Sequence, residues 1–441
     1  MKILSILIFF LFFSNCSFDN KTGIWKNSND ISKKKENGLS DFKKIYTEQK
    51  LFSEIIFPKN NLQVKLDEIK ENLTWNDEFY RGTNNLENYD YEDFNKIVFK
   101  SKKLTKFEIG KKILFDGENV ILTDVKGNIF VYSIGLQEIV LKYNFYKKKF
   151  KKIKKSLHIK IEDNKIYVAD NLGYLYSIDY KIKKLIWAKD FKIPFRSNVK
   201  IVNDKLIFAD TDNSLYLINK LNGEKIKSLP TEEALIKNEF INSIAVKENT
   251  LFYLNTFGSI YSINSNNNNI NWFININPYS EIATNNLFNS KPLVLKEDKL
   301  YISTDKKLHI FDVSSGTRIS EFPLSSTTTP IISNKYLFLI IKQDMLVCID
   351  TNEGNIVYSI DIKNEVAKYL NSKKKPIYIK TISILNNKLF IFLDNSYYIK
   401  FSSNGKLEGI NKLQSKINSD PIFVNGKIIY INTKNRLVAI N

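Results

Sequence analysis

Sulfur and imidazole are scarce in this chain of 441 residues: it has two cysteines, Cys16 and Cys348, and two histidines, His158 and His309. Neither histidine has a second histidine or a cysteine at ligand spacing, which argues against a zinc-type site. Each lies in an alternating run and reads as a surface or rim residue. Also missing are G-x-S-x-G and G-x-x-x-x-G-K-[ST], so hydrolase and nucleotide-binding readings have no motif to stand on. Long apolar runs are absent too. The N-terminal one, Ile3 to Phe13, has eleven residues, well short of the ~20 that a helix needs to cross a bilayer. Helical periodicity is rare. Ile, Tyr, Phe, Val and Leu instead alternate with polar residues over short runs, the pattern of β-strands.

Acid is also under-represented. Lys and Arg number 66 against 47 Asp and Glu, for a net charge of +19. Such an excess ordinarily points to nucleic acid or an anionic surface. Here the lysines are spread along the whole chain and accompany abundant Asn and Ile, as AT-rich codons produce, and no nucleic-acid partner is expected. The one dense stretch, Lys147 to Lys155 (KKKFKKIKK), reads as a solvated connector; contact with an anionic membrane or acidic partner is the competing reading.

The chain begins MKILSILIFFLFFSNC. Lys2 and the apolar run have signal-peptide proportions. Phe13-Ser14-Asn15-Cys16 resembles a bacterial lipobox, with Phe13 and Asn15 in place of the usual small residues. The expectation is cleavage after residue 15 and acylation, including palmitate, of Cys16. Acyl chains contribute ~0.8 kcal/mol per buried CH₂, so several together anchor stably. Ser17, rather than Asp, after the cysteine resembles the outer-membrane sorting rule of lipoproteins. With Cys16 acylated, Cys348 has no disulfide partner and reads as a small buried apolar side chain. Residues 16–49 are polar and without period, a flexible tether with an r.m.s. span of ~30 Å.

What the chain has in abundance is repetition. NVILTDVKGNIFVYSI at Asn119 matches NKIYVADNLGYLYSID at Asn164 and six further segments, beginning at Asp204, Asn249, Asp298, Lys335, Asn387 and Gly426. The starts lie 37 to 52 residues apart, the period of a β-propeller with one four-stranded blade per repeat. Eight repeats predict an all-β, eight-bladed propeller over residues 50–441. The eighth repeat stops after its third strand, at Asn441. An N-terminal strand from about residues 90–105, within Lys96 to Lys100 (KIVFK), is expected to complete that blade and close the ring, since an unpaired edge invites misassembly. Asp170, Asp179 and Asp210 recur at repeat positions, which assigns them to turns and strand ends. Trp187 and Trp272 end outer strands.

The unit (hydrophobic strand, Asp or Thr, turn glycine, L-Y-x-I-D, turn, I-x-W) resembles the PQQ-like repeat over about Asn119 to Asn441. Lipobox, length and blade count together resemble its BamB branch, the lipoproteins of outer-membrane β-barrel assembly. That resemblance implies a non-catalytic scaffold without cofactor, lipid-anchored at the periplasmic face of the outer membrane. It implies contacts with a BamA-like barrel-inserting subunit, and with unfolded barrel precursors, through loops between blades. One such loop resembles Ser280 to Pro292 (SEIATNNLFNSKP), with Glu281, Leu287 and Phe288 as candidates. The family pattern there carries an Arg-Leu pair and two nearby acids, where this chain has Asn286-Leu287 and no acid after Glu281. A second candidate contact is Phe195 with Arg196, since an exposed Phe-Arg pair has the composition of interfaces. The alternative is that Phe195 caps a sheet interface and Arg196 pairs with a local acid. The other functional branches are a PQQ-dependent quinone dehydrogenase and a ligand-sensing or adhesion propeller. The dehydrogenase needs a Ca²⁺ cluster of 6–8 oxygen ligands, and the sequence supplies no compact carboxylate set and no vicinal cysteines.

Overall fold

Each repeat motif folds as the two central strands of a four-stranded antiparallel sheet. In the computed structural model, Lys165–Asp170 pairs with Tyr174–Asp179 in the register Lys165↔Asp179 to Ala169↔Leu175. Leu157–Glu162 lies on the inner side of this pair and Lys184–Asp190 on the outer. Eight such blades occupy residues 114–144, 157–190, 200–229, 243–275, 294–322, 331–361, 379–412 and 422–440, numbered 1 to 8 here. The structure describes residues 16–18, 25–27, 52–233, 241–277 and 288–441. The chain divides into two units, 1–51 and 52–441. In the first, Cys16–Phe18 pairs antiparallel with Trp25–Asn27. Among the described residues, no helix is long and apolar enough to cross a membrane.

The central strands are apolar on both faces because each sheet is sandwiched between its neighbours. Asn128–Ser133 and Met345–Asp350 are buried at every position. Outer strands are mostly exposed instead, as in Lys184–Asp190, where Trp187 alone is buried. In all eight blades the third and fourth strands slip register at an equivalent place, for example between Ser177 and Ile178 and between Lys400 and Phe401. Such a bulge adds local twist, which suits sheets packed radially. Ring closure is as expected: Ile97–Lys100 pairs antiparallel with Leu437–Ile440, through Val438↔Lys100 and Ala439↔Phe99.

Antiparallel meandering gives the ring two different faces. Turns joining the first and second strands, and the third and fourth, lie on what we term the turn face. Turns between second and third strands, with the connections from blade to blade, form the connection face.

The unrepeated residues ahead of blade 1 do more than close the ring. Residues 67–93 bond to the innermost strand of every blade. Trp75 and Phe115 exchange backbone hydrogen bonds of 2.7 and 2.9 Å in blade 1. Ile161 N–H donates to the Asn76 carbonyl in blade 2 (3.1 Å), Val246 to Gly82 in blade 4 (2.8 Å) and Leu295 to Thr83 in blade 5 (2.9 Å). The Lys200 ammonium of blade 3 donates to the Arg81 carbonyl at 2.6 Å. Asn85 pairs through its side-chain amide with both the N–H (3.0 Å) and the C=O (2.8 Å) of Ile332 in blade 6, as a strand residue would. Asn88–Tyr89 adds a parallel fifth strand to blade 7. The Asn72 amide donates to Phe423 in blade 8 at 2.7 Å. These inner edges would otherwise present unpaired backbone groups to the axis, at a cost for each buried orphan. The fit is tight enough that a Cβ on Gly82 would lie 2.8 Å from the Val246 oxygen.

Charge completes the match. Residues 67–93 hold nine carboxylates against Lys70 and Arg81, in a chain that is otherwise strongly basic. Asp67 meets Lys296 at 2.7 Å, Asp77 meets Lys200 at 2.9 Å, and Asp93 meets Lys400 at 2.5 Å.

Candidate interaction face

The recurring acids behave as turn chemistry on the connection face. Asp170 Oδ1 accepts from the backbone N–H of Leu172 and Tyr174, both at 2.8 Å. Asp210 Oδ1 accepts from Asp212 (2.8 Å) and Ser214 (2.9 Å). Asn255 and Asn432 do the same in blades 4 and 8. Burial pushes the Asp170 and Asp210 carboxyls up from their ordinary values, opposed by these hydrogen bonds and by Tyr146 and Tyr216 respectively. On the turn face, Asp179 Oδ1 accepts from Lys181 (3.0 Å) and Ile182 (3.1 Å). Each acid serves its own turn. Among the described residues, no group of three or more His, Cys, Asp or Glu is placed to hold a metal ion.

Phe195 is not the exposed anchor that an interface would need. It is 2 % exposed, with its ring edge-on to Phe208 at 4.7 Å and to Phe191 at 5.3 Å. The reason is positional. Phe195 bridges Asp210, as Ile109 bridges Asp124 and Ile417 bridges Asn432, so it occupies a repeat position that seals the end of a blade. Arg196 beside it is half-buried; desolvation pulls its guanidinium down, opposed by Tyr253, Asp210 and Asp212. Phe288 is likewise buried, against Gly258 and within the cluster of Phe252, Leu254 and Ile260. Glu281 and Leu287 lie outside the described residues. The five candidates are therefore not assembled into one exposed patch.

Both histidines are buried, contrary to the surface reading. His158 Nδ1 lies 3.2 Å from Glu78 of the axial segment, and His309 Nδ1 lies 3.3 Å from Glu321. Sequence spacing could not reveal the first pairing, because 80 residues separate the partners. Cys348 is buried and free, as expected, and burial raises its thiol well above the ordinary value. The basic run divides. Lys155 folds back, donating to the carbonyls of Phe150 and Ile153, while Lys147, Lys148, Lys151, Lys152, Lys154 and Ile153 are exposed on the connection face.

The axial segment leaves a cavity of about 70 Å³ lined by Trp75, Glu78, Phe79, Lys112, Ser383 and Asp420. Lys112 and Asp420 pair across it at 2.9 Å. Burial pushes the Asp420 carboxyl up, but Lys112, helped by Lys380 and Lys111, outweighs this and leaves it lowered. The space is far below the ~300 Å³ where ordinary ligand sites begin. A larger cleft of about 590 Å³ lies between blades 8 and 1, lined mainly by apolar residues such as Val98, Phe99, Ile134 and Leu136. Its charged residues are Glu118 and Lys427. Neither space presents the carboxylate set that a quinone with Ca²⁺ would require, so the residues present do not fit that group.

Comparison with known proteins places this architecture. Residues 147–360 match the family model described as outer membrane protein assembly factor BamB. BamB of Moranella endobia is 22% identical over 287 residues, spanning 63% of this chain and 70% of that protein. An uncharacterised Rickettsia conorii protein is 24% identical over 285 residues, 62% of this chain and 67% of its own. Among solved structures, BamB from Moraxella catarrhalis superposes with a TM-score of 0.61 at 12% identity, covering 78% of this chain and 99% of that one. The quinohemoprotein alcohol dehydrogenase of Comamonas testosteroni gives 0.62 at 8% identity, covering 83% and 80%. At such identities the structural likenesses show the fold alone. The family match and the sequence relative point to one branch: this chain is BamB-like, similar to the outer-membrane assembly factors, and has an eight-bladed PQQ-like β-propeller fold.

Proposed function

We propose that this chain is a non-catalytic scaffold lipoprotein of outer-membrane β-barrel assembly, anchored through Cys16 at the periplasmic face. Its work is binding. Rigid blades hold the blade-to-blade connections against a BamA-like subunit, and against unfolded barrel precursors. The observation that carries this reading is the family match over residues 147–360. An axis filled by the chain's own residues 67–93 is in keeping with it, since it leaves little room for a substrate there. The connection from blade 4 to blade 5, residues 276–293, is the longest of the ring and is the first place to look for the contact. Phe195 and Phe288 are buried at blade ends, with Arg196 half-buried beside Phe195; Glu281 and Leu287 stay as contact candidates.

Photo-crosslinkers placed at Glu281 and Leu287, in cells, test the proposal. Adducts with an outer-membrane assembly component are expected at these positions and not at Ser315 on the opposite face. Recovery of no such component from any position on the connection face would sink it.

A further inference from the structure

One blade junction lacks a lock that its siblings share. The residue after the third strand (Ile134, Lys220, Ser265, Val313 and Thr351 in blades 1, 3, 4, 5 and 6) donates its N–H back to the turn ahead of the second strand. In blades 3 to 7 the carbonyl of this residue accepts from the preceding blade. Trp187 donates its indole N–H to Lys220 (3.1 Å), Trp272 to Val313 (2.9 Å), and the Tyr358 hydroxyl donates to Ser403 of blade 7 (2.9 Å). The Lys205 and Lys299 ammonium groups do the same for Ser265 and Thr351. Between blades 1 and 2 the gap is closed from the other side, by Tyr180, which is buried and donates to Asp116 at 2.6 Å.

Blade 8 meets blade 1 differently. Phe99 pairs with Ala439 just before the register slip, as Trp187 pairs with Ser177, Trp272 with Ser262 and Tyr358 with Cys348. Phenylalanine has no polar hydrogen, so the Ile134 carbonyl receives nothing from this position. Lys427 opens the second strand of blade 8 as Lys205 and Lys299 open theirs. It turns instead to Glu92 at 3.5 Å and to the Asn425 carbonyl at 3.3 Å. The junction is left with the cleft of about 590 Å³, walled by Val98, Phe99, Ile134, Leu136 and Ile429. Val98 and Leu136 are exposed, and such grouped apolar surface marks binding sites.

The siblings show what this notch takes. Three of them hold a protein aromatic ring that carries a polar hydrogen, laid against a glycine of the next blade: Gly223, Gly316 and Gly405. The charged groups of the open cleft, Glu118 and Lys427, are of opposite sign, which favours a neutral guest over an ion. An aromatic side chain there buries a large apolar area and still has a partner for its polar atom. We propose that the cleft between blades 8 and 1 docks a tryptophan or tyrosine side chain of another protein, which donates to the Ile134 carbonyl. The cleft lies on the turn face, so this contact and the one proposed for the connection face can fail separately.

The test titrates fluoroindole with the full chain carrying Cys16→Ser, followed by fluorine NMR. Saturable line broadening is expected, and N-methylated fluoroindole, which has no N–H, should bind about fivefold more weakly. Phe99→Trp supplies the missing indole from within and should abolish the binding while raising the urea midpoint. Leu136→Glu, at an exposed position, should weaken binding about tenfold without that gain in stability. In cells, a photo-crosslinker at Leu136 is expected to yield a protein adduct that Phe99→Trp removes, and one at Ser315 to yield none. Equal binding of the two indoles overturns the proposal, as does binding that both variants leave intact. Indole binding without a protein adduct at Leu136 overturns docking in favour of a small free aromatic. Binding seen only in Lys427→Met would show that Lys427 already fills the notch, and would overturn the proposal too.

Discussion

Trp187 in the outer strand of blade 2 donates its indole N–H to the Lys220 carbonyl of blade 3 at 3.1 Å, and its ring lies flush against Gly223. The contact is an inter-blade lock that recurs: Trp272 of blade 4 donates to Val313 at 2.9 Å beside Gly316 of blade 5. Gly223 has φ of +72°, and a Cβ there would stand 2.5 Å from the Trp187 ring. Gly223→Ala is therefore expected to cost roughly 2–4 kcal/mol, combining left-handed strain with overpacking. Gly354 of blade 6, with φ of +69° and open space around it, isolates the first component, and Gly354→Ala should cost only about 1 kcal/mol. Urea denaturation of the pair measures the difference.

The axial segment makes a second prediction. Asn85→Ala removes both bonds to Ile332 and leaves two buried backbone groups of blade 6 unpaired, at roughly 2–4 kcal/mol. Hydrogen exchange should quicken in the inner strands Ser243–Lys247, Val294–Lys296 and Ile331–Ser333, which bond to residues 82–85. Outer strands should be unaffected. Uniform quickening across each blade would show that the segment does not act as a local cap.

Lys200 supplies a pH dependence. Burial pulls its ammonium down to about 8, with Asp77 at 2.9 Å opposing the shift. Below pH 8 both folded and unfolded chains carry this proton, and the cost of burying it is constant. From about pH 8 upward the folded chain releases the proton while the unfolded one keeps it to ~10.4, so this group makes stability rise with pH. The gain should reach roughly 2 kcal/mol by pH ~10. Above that the buried tyrosines reverse the trend, since burial holds Tyr301, for example, up at about 12. Lys200→Met should flatten the rise in thermal or urea unfolding between pH 8 and 10.

Phe195 separates a binding role from a structural one. As a buried blade-end residue, Phe195→Ala should cost about 3–5 kcal/mol of stability. Phe195→Leu keeps most of the apolar volume and should cost under half as much. Partner capture at 20 °C by folded Phe195→Leu is expected to equal that of the unsubstituted chain; a selective loss of capture at unchanged stability would restore Phe195 to the interface.

The repeating part of the molecule was legible because its period is local. Alternation, turn residues and spacing are set within about 45 residues, so Ile166 to Asp179 reads as a hairpin wherever it sits. The missing fourth strand of blade 8 was legible by subtraction. The candidate contacts were less so. Pro194 to Ser197 has interface composition in sequence, yet backbone pairing with Asp210 and Ala209 turns Phe195 inward. Residues 67–93 carry neither period nor repeat; their acid excess in a basic chain was the available signal.

The sequence by itself determined the eight blades, their strand order and the turn chemistry of Asp170, Asp179 and Asp210, because hydrogen bonding between neighbours in the chain decides these. Only the tertiary structure decided what fills the axis, which aromatics are spent on blade ends, and that Phe99, Ile134 and Leu136 share one cleft. Those outcomes depend on ring closure, which brings residues 80 to 350 positions apart into contact and leaves no trace in local pattern.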